Sequence, residues 1–425
     1  MRKALMVARA VSAQVSSDEL IRHGTPEFRR TNLALFAAGI ATFGLLYCVQ
    51  PLMPEFSRQY GVSAAASALT LSLPTGVMGI ALLLAGAVSD AHGRKRIMTV
   101  SIACSALLTL LTAATPGWPA LLVLRALLGL ALSGLPAIAM TYLSEEVHAE
   151  SIGLGMGLYI SGSAVGGLGG RLLTGVVADF FGWRWAVAAM GVVGLLCAWA
   201  FARSLPRSRH FVPQPLEAGV LVRRFAGTFA DPGLPWLFAE GFVLLGAFVT
   251  VYNYIGYRLM APPYALSQSE VGLLFSVYLV GMFSSTFIGH LAGRLGRRKV
   301  LWTMFLIMLA GLALTLADSL AIIIAGIAVI TFGFFGGHSI VSSWVGRRAG
   351  SAKAQASSLY LFAYYLGSSL AGAAGGLFYA AHGWTGVAAF VAALFALGLL
   401  FAWRLYWLAP LAVPPAAGSA EPPLP

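Results

Sequence analysis

Long apolar runs dominate this sequence and restrict what the chain can fold into. Each run is about 20 residues long, the length of helix that crosses about 30 Å of hydrocarbon. The runs are continuous and lack the alternation of apolar and polar residues that marks a barrel strand, so they predict helices. The twelve predicted spans cover residues 33–54, 64–88, 97–115, 119–143, 153–178, 183–202, 234–256, 269–292, 299–317, 320–345, 355–380 and 385–407.

Composition agrees with a membrane location. Hydrophobic residues make up 59% of the chain and charged residues 10%, which is more apolar surface than a water-soluble protein can bury. The net charge of +12 comes from short clusters of cations between the apolar runs rather than from one basic face, so no nucleic acid partner is predicted. Cys48, Cys104 and Cys197 all fall inside apolar runs without metal-ligand spacing, so they indicate packing residues, and no metal or cofactor is predicted.

The distribution of cations predicts the orientation. If the amino terminus is cytoplasmic, 22 of the 27 lysines and arginines fall in cytoplasmic segments and three fall outside. This asymmetry predicts that both termini are cytoplasmic. The chain is then interpreted as a cytoplasmic tail, a six-helix half, a Pro- and Arg-rich cytoplasmic linker, a second six-helix half and a second cytoplasmic tail. These parts cover residues 1–30, 31–202, 203–233, 234–407 and 408–425.

A segment rich in glycine and cations occurs twice, each time between two apolar runs. Gly86 matches Gly289 and Gly93 matches Gly296, 203 residues apart in both pairs. In each copy the glycines stand where the backbone must turn sharply, and three consecutive cations follow. A second pair, Gly182-Trp183 and Gly383-Trp384, recurs at an offset of 201. Basic loops alone would satisfy the positive-inside rule, but two copies in register predict an internal repeat.

The first copy, Gly86-x3-Asp90-x2-Gly93-Arg94-Lys95-Arg96, resembles the loop signature of the major facilitator superfamily. The resemblance implies an all-α membrane protein with twelve transmembrane helices in two six-helix pseudo-repeat halves. It also implies that Asp90 and Arg94 form a cytoplasmic latch, with Glu145 at the end of span four within reach of Arg94. The second copy has Gly293 where the acid would be. The latch residues so implied are Asp90, Gly86, Gly93, Arg94, Glu145, Gly289, Gly296 and Arg297.

Span five is rich in glycine. The spacing of Gly162, Gly166 and Gly170 is similar to the proton-antiporter signature of the exporters in this superfamily. Gly167 stands where that signature has Pro, and Arg171 where it has its last Gly. The alternative interpretation is close helix packing, which small residues permit in membranes.

Two arginines fall inside predicted spans. Arg125 with Gly129 in span four resembles the R-x3-G motif that is tied to proton coupling in exporters. An arginine in a bilayer is costly unless it faces a wet cavity or a partner, so Arg125 and Arg171 are candidates for proton coupling or substrate binding. The alternative for each is a structural arginine bonded to backbone carbonyls.

Spans seven and ten carry further polar candidates. Glu240 lies about six residues, or roughly 9 Å, into span seven, and His338 lies about seven residues from the same face in span ten. In the superfamily these spans line the cavity, so the resemblance implies that both residues can face it. The alternative is a helix-terminal acid and a packed neutral histidine. Asn253 stands among tyrosines near the outer end of span seven, in a stretch that resembles sugar-efflux and arabinose-efflux-like permeases.

Together these features indicate a secondary transporter in the inner membrane that moves a small organic solute by alternating access, outward in exchange for protons. Its expected partners are the solute, protons and membrane lipid. An importer of a sugar or carboxylate is the alternative within that class, and a receptor or scaffold is the alternative outside it. The sequence has neither the G-x4-G-K-[ST] motif of nucleotide motors nor the H-E-x-x-H or G-x-S-x-G motif of hydrolases.

Overall fold

The described part of the chain is built from long helices. The structure, a computed structural model, describes residues 20–211 and 218–408. The predicted tails therefore fall mostly outside the described residues, as does part of the predicted linker. Twelve long helices cover the described residues: α1 Pro26–Tyr47, α2 Ala64–His92, α3 Arg94–Ala113, α4 Trp118–Glu146, α5 Ala149–Phe181, α6 Trp183–Ser204, α7 Leu234–Met260, α8 Gln268–Leu295, α9 Arg297–Leu314, α10 Leu320–Arg348, and α11 and α12, which together form Lys353–Tyr406.

Local capping signals set several helix starts. The Thr25 hydroxyl accepts a hydrogen bond from the Phe28 amide at 3.1 Å, and Pro26 occupies the first position of α1. Ser267 and Glu270 form a complete capping box at the start of α8. These groups satisfy backbone amides that have no partner inside the helix. Two shorter helices, Met53–Tyr60 and Ala218–Thr228, lie between α1 and α2 and before α7.

Regular helix geometry is broken at two places, once within span α4 and once between spans α11 and α12. In α4 the helix ends at Leu132 and resumes at Pro136, whose ring nitrogen cannot donate a backbone hydrogen bond. Between α11 and α12, His382 and Gly383 leave the helical region of φ and ψ. The two spans predicted at 355–380 and 385–407 are thus separate helices that meet at a kink.

The repeated glycines occupy equivalent turns in the two halves. Gly93 joins α2 to α3 and Gly296 joins α8 to α9, each with φ of 95°. Gly182 before α6 and Gly383 before α12 also have positive φ, at 82° and 58°. An L side chain is strained in this region of the Ramachandran plot. The matching backbone conformations support the predicted repeat of helices α1–α6 in α7–α12.

The bundle has two ends that differ in how closely the halves pack. The end where α6 finishes and α7 begins is called the linker end, and the opposite one the far end. Near the far end, a Cβ atom at Gly376 of α11 would lie 2.3 Å from the Ala65 Cα atom of α2. Toward the linker end of α2, a Cβ atom at Gly86 would meet nothing within 4 Å. The helices α2 and α11 therefore touch at the far end and diverge toward the linker end.

The pair α5 and α8 shows the same asymmetry. At the far end, a Cβ atom at Gly175 would lie 2.8 Å from the Gln268 carbonyl oxygen. At the linker end of α5, Cβ atoms at Gly153 and Gly157 would meet nothing within 4 Å. Both pairs join one half to the other, so the two halves are closed against each other at the far end.

Candidate functional site

A chain of buried polar side chains joins the halves at the far end. The Arg171 Nε atom of α5 donates a hydrogen bond to the Gln50 Oε1 atom at 2.8 Å. The Gln50 Nε2 atom in turn donates to the Asn253 Oδ1 atom of α7 at 2.8 Å. The Asn253 Nδ2 atom is buried and has no hydrogen-bond partner in the described part of the chain. The structure thus brings together Arg171 and Asn253, both predicted from the sequence, through Gln50, which was not predicted.

Aromatic faces surround the Arg171 guanidinium. Its carbon lies 4.4 Å from the ring centre of Tyr47, 4.7 Å from that of Phe275 and 5.0 Å from that of Tyr278. The Nη1 atom donates to the Gly167 carbonyl at 2.6 Å. Each cation–π contact contributes about 0.5–2 kcal/mol, more where water is excluded. The cation is therefore held by rings, an amide and a carbonyl, and Tyr47 and Arg171 in the amino-terminal half face Phe275 and Tyr278 in the other.

Arg125 has a different environment, made of backbone carbonyls. Its side chain is fully buried, and its nitrogen atoms donate to the Thr70, Leu45 and Leu46 carbonyl oxygens at 2.8, 3.0 and 2.5 Å. Those carbonyls belong to α1 and α2, so the guanidinium ties α4 to both helices. Here the geometry is that of a structural arginine bonded to carbonyls, the alternative considered from the sequence.

Gly129, one turn after Arg125, explains how α4 comes close enough to α2. A Cβ atom at Gly129 would lie 2.1 Å from the Pro74 carbonyl oxygen, so only glycine permits this approach. The three glycines of the exporter-like pattern in α5 have the same kind of environment against α1. Cβ atoms at Gly162, Gly166 and Gly170 would lie 2.3 Å from the Phe36 oxygen, 2.4 Å from the Ile40 oxygen and 2.9 Å from the Gly44 Cα atom.

Glu240 of α7 is buried and unpartnered. The residue is 0% exposed, and neither carboxyl oxygen has a hydrogen-bond partner within residues 20–211 and 218–408. An ionised carboxylate in such a place carries a large desolvation cost that no donor or cation offsets. The environment consequently accommodates the neutral acid and disfavours the anion.

His338 of α10 does not pair with Glu240. Its Nδ1 atom shares a hydrogen bond with the Tyr360 hydroxyl of α11 at 2.8 Å, and the Tyr364 ring centre lies 4.8 Å from its own. Tyr360 also packs on α7, because a Cβ atom at Gly241, next to Glu240, would lie 2.6 Å from the Tyr360 Cε2 atom. Tyr360 therefore contacts both α7 beside Glu240 and the imidazole of His338.

At the linker end, the predicted latch residues of the first copy form one cluster. Arg94 forms an ion pair with Asp90, donates to the Ser89 hydroxyl at 3.0 Å, and contacts both Glu145 oxygens at 3.1 and 2.8 Å. All of these residues belong to the amino-terminal half. The cluster fixes α4 against the turn between α2 and α3, and it does not reach the other half in this structure.

The second copy has a different arrangement. The Arg297 Nε atom donates to the Ser343 hydroxyl of α10 at 3.1 Å, and a Cβ atom at Gly293 would meet nothing within 4 Å. No carboxylate among the described residues pairs with Arg297. Gly296 forms the turn between α8 and α9, and a Cβ atom there would meet none of the described residues within 4 Å. Gly86 and Gly289, expected at sharp turns, instead lie inside α2 and α8, and a Cβ atom at Gly289 would lie 2.9 Å from the Ser339 hydroxyl oxygen of α10.

Three contributors were missed from the sequence. Gln50 is a lone amide at the end of the first apolar run, Tyr360 is one of several aromatics in span eleven, and Asp179 stands at the far end of α5. For Gln50, the position of an amide side chain within an apolar run was the one sequence feature that could have indicated a functional role. The roles of Tyr360 and Asp179 depend on contacts across helices that no local pattern indicates.

Comparisons with known proteins agree on one family. The model of the Major Facilitator Superfamily matches residues 35–265 and 243–425. The inner membrane transport protein YnfM of Escherichia coli K12 is 50% identical over 389 residues, 92% of this chain and 93% of that protein. The uncharacterized MFS-type transporter YybF of Bacillus subtilis 168 is 48% identical over 367 residues, 86% of this chain and 91% of that protein.

A solved structure shares the fold at low sequence identity. A bacterial homolog of the human lysosomal transporter Spinster, in an inward-facing and unoccupied conformation, has a TM-score of 0.73 and 17% identity, covering 90% of this chain and 97% of that one. The predicted fold of twelve helices in two six-helix halves is thereby confirmed. This chain belongs to the major facilitator superfamily and is a multi-pass membrane transporter of that family.

Proposed function

We propose that this protein carries a small organic solute outward across the inner membrane in exchange for protons. The linker end faces the cytoplasm, and the two halves alternate between closure at the far end and closure at the linker end. Glu240 is the group that takes up and releases the coupled proton. The observation that carries the proposal is the complete burial of the Glu240 carboxyl without a hydrogen-bond partner.

Coupling follows from how the Glu240 environment changes between states. In the far-end-closed state the carboxyl is dry and unpaired, which favours the protonated form. Glu240 lies six residues from the start of α7 at the linker end, so water or solute entering from that end would stabilise the anion and release the proton to the cytoplasm. When the linker end closes and the far end opens, the carboxyl takes up the next proton from the outer side, so each cycle carries one proton inward. Tyr360 lies at the α7 surface beside this carboxyl and shares a hydrogen bond with His338, so Tyr360 is positioned to sense the charge of Glu240 and relay it to His338.

The conformation supports alternating access. Contacts between α2 and α11 and between α5 and α8 close the far end, and the Arg171, Gln50 and Asn253 chain crosses the halves there. The structurally similar Spinster homolog is inward-facing, which agrees with a far end on the outer side. The path for the solute would lie between the halves and open at the linker end.

The proposed cytoplasmic location of the linker and of the carboxy terminus can be tested separately. A reporter that is active only in the cytoplasm should be active when fused after Arg209, in the linker, and when fused at Pro425. Both fusions follow an even number of spans. Activity at only one of the two positions would contradict the proposed topology.

Solute flux tests the proposal as a whole. Purified protein is screened against organic solutes for thermal stabilisation, because a ligand that binds only the folded state raises its stability. A stabilising solute is then added outside proteoliposomes with and without an imposed pH gradient, and its uptake is measured. Wild-type protein should accumulate the solute against its gradient when the pH gradient is imposed. Binding without flux would instead indicate a receptor.

Two matched glutamate variants distinguish a loss of proton coupling from a general loss of folded or active protein. Glu240→Gln should lose accumulation driven by the pH gradient and keep solute exchange, since the amide is a permanent analogue of the neutral acid. Glu150→Gln changes a side chain that is 90% exposed on α5 and should behave as wild type. Unchanged accumulation in Glu240→Gln would remove Glu240 from the coupling mechanism and direct attention to Arg125 and Asp90.

A further inference from the structure

A basic cavity lies at the linker end of the carboxy-terminal half. Its volume is about 740 Å³, within the range of small-molecule binding sites. It lies between the start of α9, the end of α10 and the end of α12. Five of its lining residues are cations and three are aromatic. The cations are Arg297, Arg298, Lys299, Arg347 and Arg348, and the aromatic residues are Trp344, Tyr406 and Trp407.

The charge in this cavity is poorly compensated. None of the lining residues is acidic, and one carboxylate, Asp231, reaches the cluster by accepting a hydrogen bond from the Arg348 Nε atom at 2.7 Å. The Arg348 side chain is 4% exposed, and its Nη1 atom is buried without a hydrogen-bond partner among the residues that the structure describes. A buried guanidinium nitrogen without an acceptor is costly. The cavity therefore has an excess of positive charge over the carboxylates that reach it among the described residues.

The internal repeat shows that the second copy lacks the two acids that compensate Arg94 in the first. In the first copy, Asp90 and Glu145 neutralise Arg94. In the second copy, glycine replaces the aspartate at position 293, and Arg297 has a hydroxyl partner instead of a carboxylate. The same offset of 203 residues makes Arg348 the residue of the second half that is equivalent to Glu145 in the first. Two acids of the first cluster thus correspond to a glycine and a further cation.

We propose that this cavity binds the phosphate of an anionic phospholipid headgroup in the leaflet at the linker end. Clustered arginines recognise phosphate by charge-assisted hydrogen bonds, and the amino terminus of α9 favours an anion. Trp407 and Leu295 of the rim are 67% and 56% exposed, so they offer apolar contacts for acyl chains beside the phosphate site. Basic pockets between transmembrane helices bind anionic headgroups in this way. The site goes beyond the proposed solute transport and does not depend on it.

The test measures lipid binding by the full chain after removal of copurified lipid. Phosphatidylglycerol, added to detergent-solubilised protein, should raise the unfolding temperature and give a single-lipid complex in native mass spectrometry. Phosphatidylcholine, which has a neutral headgroup, should do neither. The double variant Arg297→Gln/Arg347→Gln removes two cations and should bind phosphatidylglycerol at least about tenfold more weakly, because the loss of even one charge-assisted hydrogen bond to phosphate is worth about a factor of ten.

Two further variants show whether a loss of lipid binding comes from the cavity itself or from misfolding of the double variant. Arg404→Gln removes one cation from an exposed position of α12 that does not line the cavity, and it should bind phosphatidylglycerol as wild type. Gly293→Asp adds the missing acid at an exposed position with free space around it and removes no side chain. It should weaken phosphatidylglycerol binding even if the double variant fails to fold.

Three outcomes would overturn the proposal. If Arg404→Gln weakens binding as much as the cavity variants do, the attraction is that of the basic surface in general. If inorganic phosphate produces the same stabilisation as phosphatidylglycerol, and suppresses its binding, the site is one for free phosphate. If Gly293→Asp and a folded double variant bind phosphatidylglycerol as wild type does, the cavity is not a lipid site.

Discussion

The Asp179 carboxylate of α5 accepts a hydrogen bond from the backbone amide of Ser269 in α8 at 2.7 Å. Its other oxygen accepts from the Gln268 amide at 2.9 Å. Asp179 thus caps the amino terminus of a helix in the opposite half, where a negative charge is stabilising. Because this contact crosses the halves at the far end, it exists only while that end is closed.

Replacing Asp179 should therefore favour opening at the far end. In Asp179→Ala the free amides of α8 and the lost charge disfavour closure by about 0.5–2 kcal/mol. Spin labels at Trp185 and Ile322, exposed residues at the far ends of α6 and α10, should show a longer distance distribution in this variant. The labels are placed in a Cys104→Ser background because Cys104 is exposed.

The matched control for that measurement is Glu270→Ala. Glu270 belongs to the capping box at the same helix terminus, but its contacts stay within one half. The control should leave the label distances unchanged. Equal distances in wild type and Asp179→Ala would show that the cap does not hold the far end closed.

Arg125 should be more important for stability than for proton coupling. Arg125→Gln cannot reach the three carbonyls of α1 and α2, and each buried carbonyl left without a donor costs about 1–3 kcal/mol. We expect a lower unfolding temperature in detergent and a loss of transport that follows the loss of folded protein. Arg58→Gln, at a side chain that is 67% exposed, should change neither. If Arg125→Gln keeps the wild-type unfolding temperature but loses proton-driven accumulation of the solute, Arg125 has the coupling role that its motif implies.

The linker-end cluster predicts an order of severity among latch variants. Glu145 contacts two guanidinium nitrogens of Arg94, whereas Asp90, with a side chain that is 39% exposed, forms an ion pair with one. Glu145→Gln should therefore lower the rate of solute exchange more than Asp90→Asn, with membrane insertion intact in both. Gly293→Asp should lower it less than either. Normal exchange in both acid variants would leave the loop with a topological role alone.

Asp231 predicts a pH-dependent stability. Burial raises the pKa of this carboxyl, but hydrogen bonds from Arg348 and from the Gly233 and Leu234 amides outweigh it and hold the pKa below its ordinary value of 3.8. A depressed pKa in the folded state stabilises the fold above the ordinary pKa, and this contribution disappears as pH falls through the folded-state pKa.

Asp231→Asn should accordingly lower the unfolding temperature at neutral pH, and the difference from wild type should shrink below about pH 4. A series of thermal melts from neutral to acidic pH measures this. The exposed Asp318→Asn serves as the control and should match wild type throughout. A difference between wild type and Asp231→Asn that stays constant across the series would assign the effect to packing instead of charge.

The helix architecture was predictable because bilayer thickness fixes the length of an apolar run. Boundaries were less accurate where polar residues extend a helix beyond the hydrocarbon. The first span was predicted at 33–54, whereas α1 begins at Pro26, about two turns earlier across a charged segment, and ends at Tyr47. A separate helix, Met53–Tyr60, then follows. The glycine turns at Gly93 and Gly296 were predictable because the residue type itself permits a positive φ.

The environments of the buried polar residues were not predictable to the same degree. The sequence places Arg125, Arg171 and Glu240 in spans, but which groups surround them depends on how helices from distant parts of the chain pack. Arg125 has carbonyls and Arg171 has rings and an amide, although both were candidates for the same reason. Glu240 and His338, expected at a similar depth from the same face, do not pair, and the His338 Nδ1 atom shares a hydrogen bond with the Tyr360 hydroxyl instead.

The proposed mechanism requires that the Glu240 carboxyl be protonated in the far-end-closed state. Infrared spectroscopy measures this protonation directly and needs no known solute. A protonated carboxylic acid in a dry site has a carbonyl stretching band that a carboxylate lacks. Purified wild-type protein at neutral pH should show this band, Glu150→Gln should retain it, and Glu240→Gln should lose it. If the wild-type and Glu240→Gln spectra are identical in this region at neutral pH, Glu240 does not hold the proton and the account is contradicted.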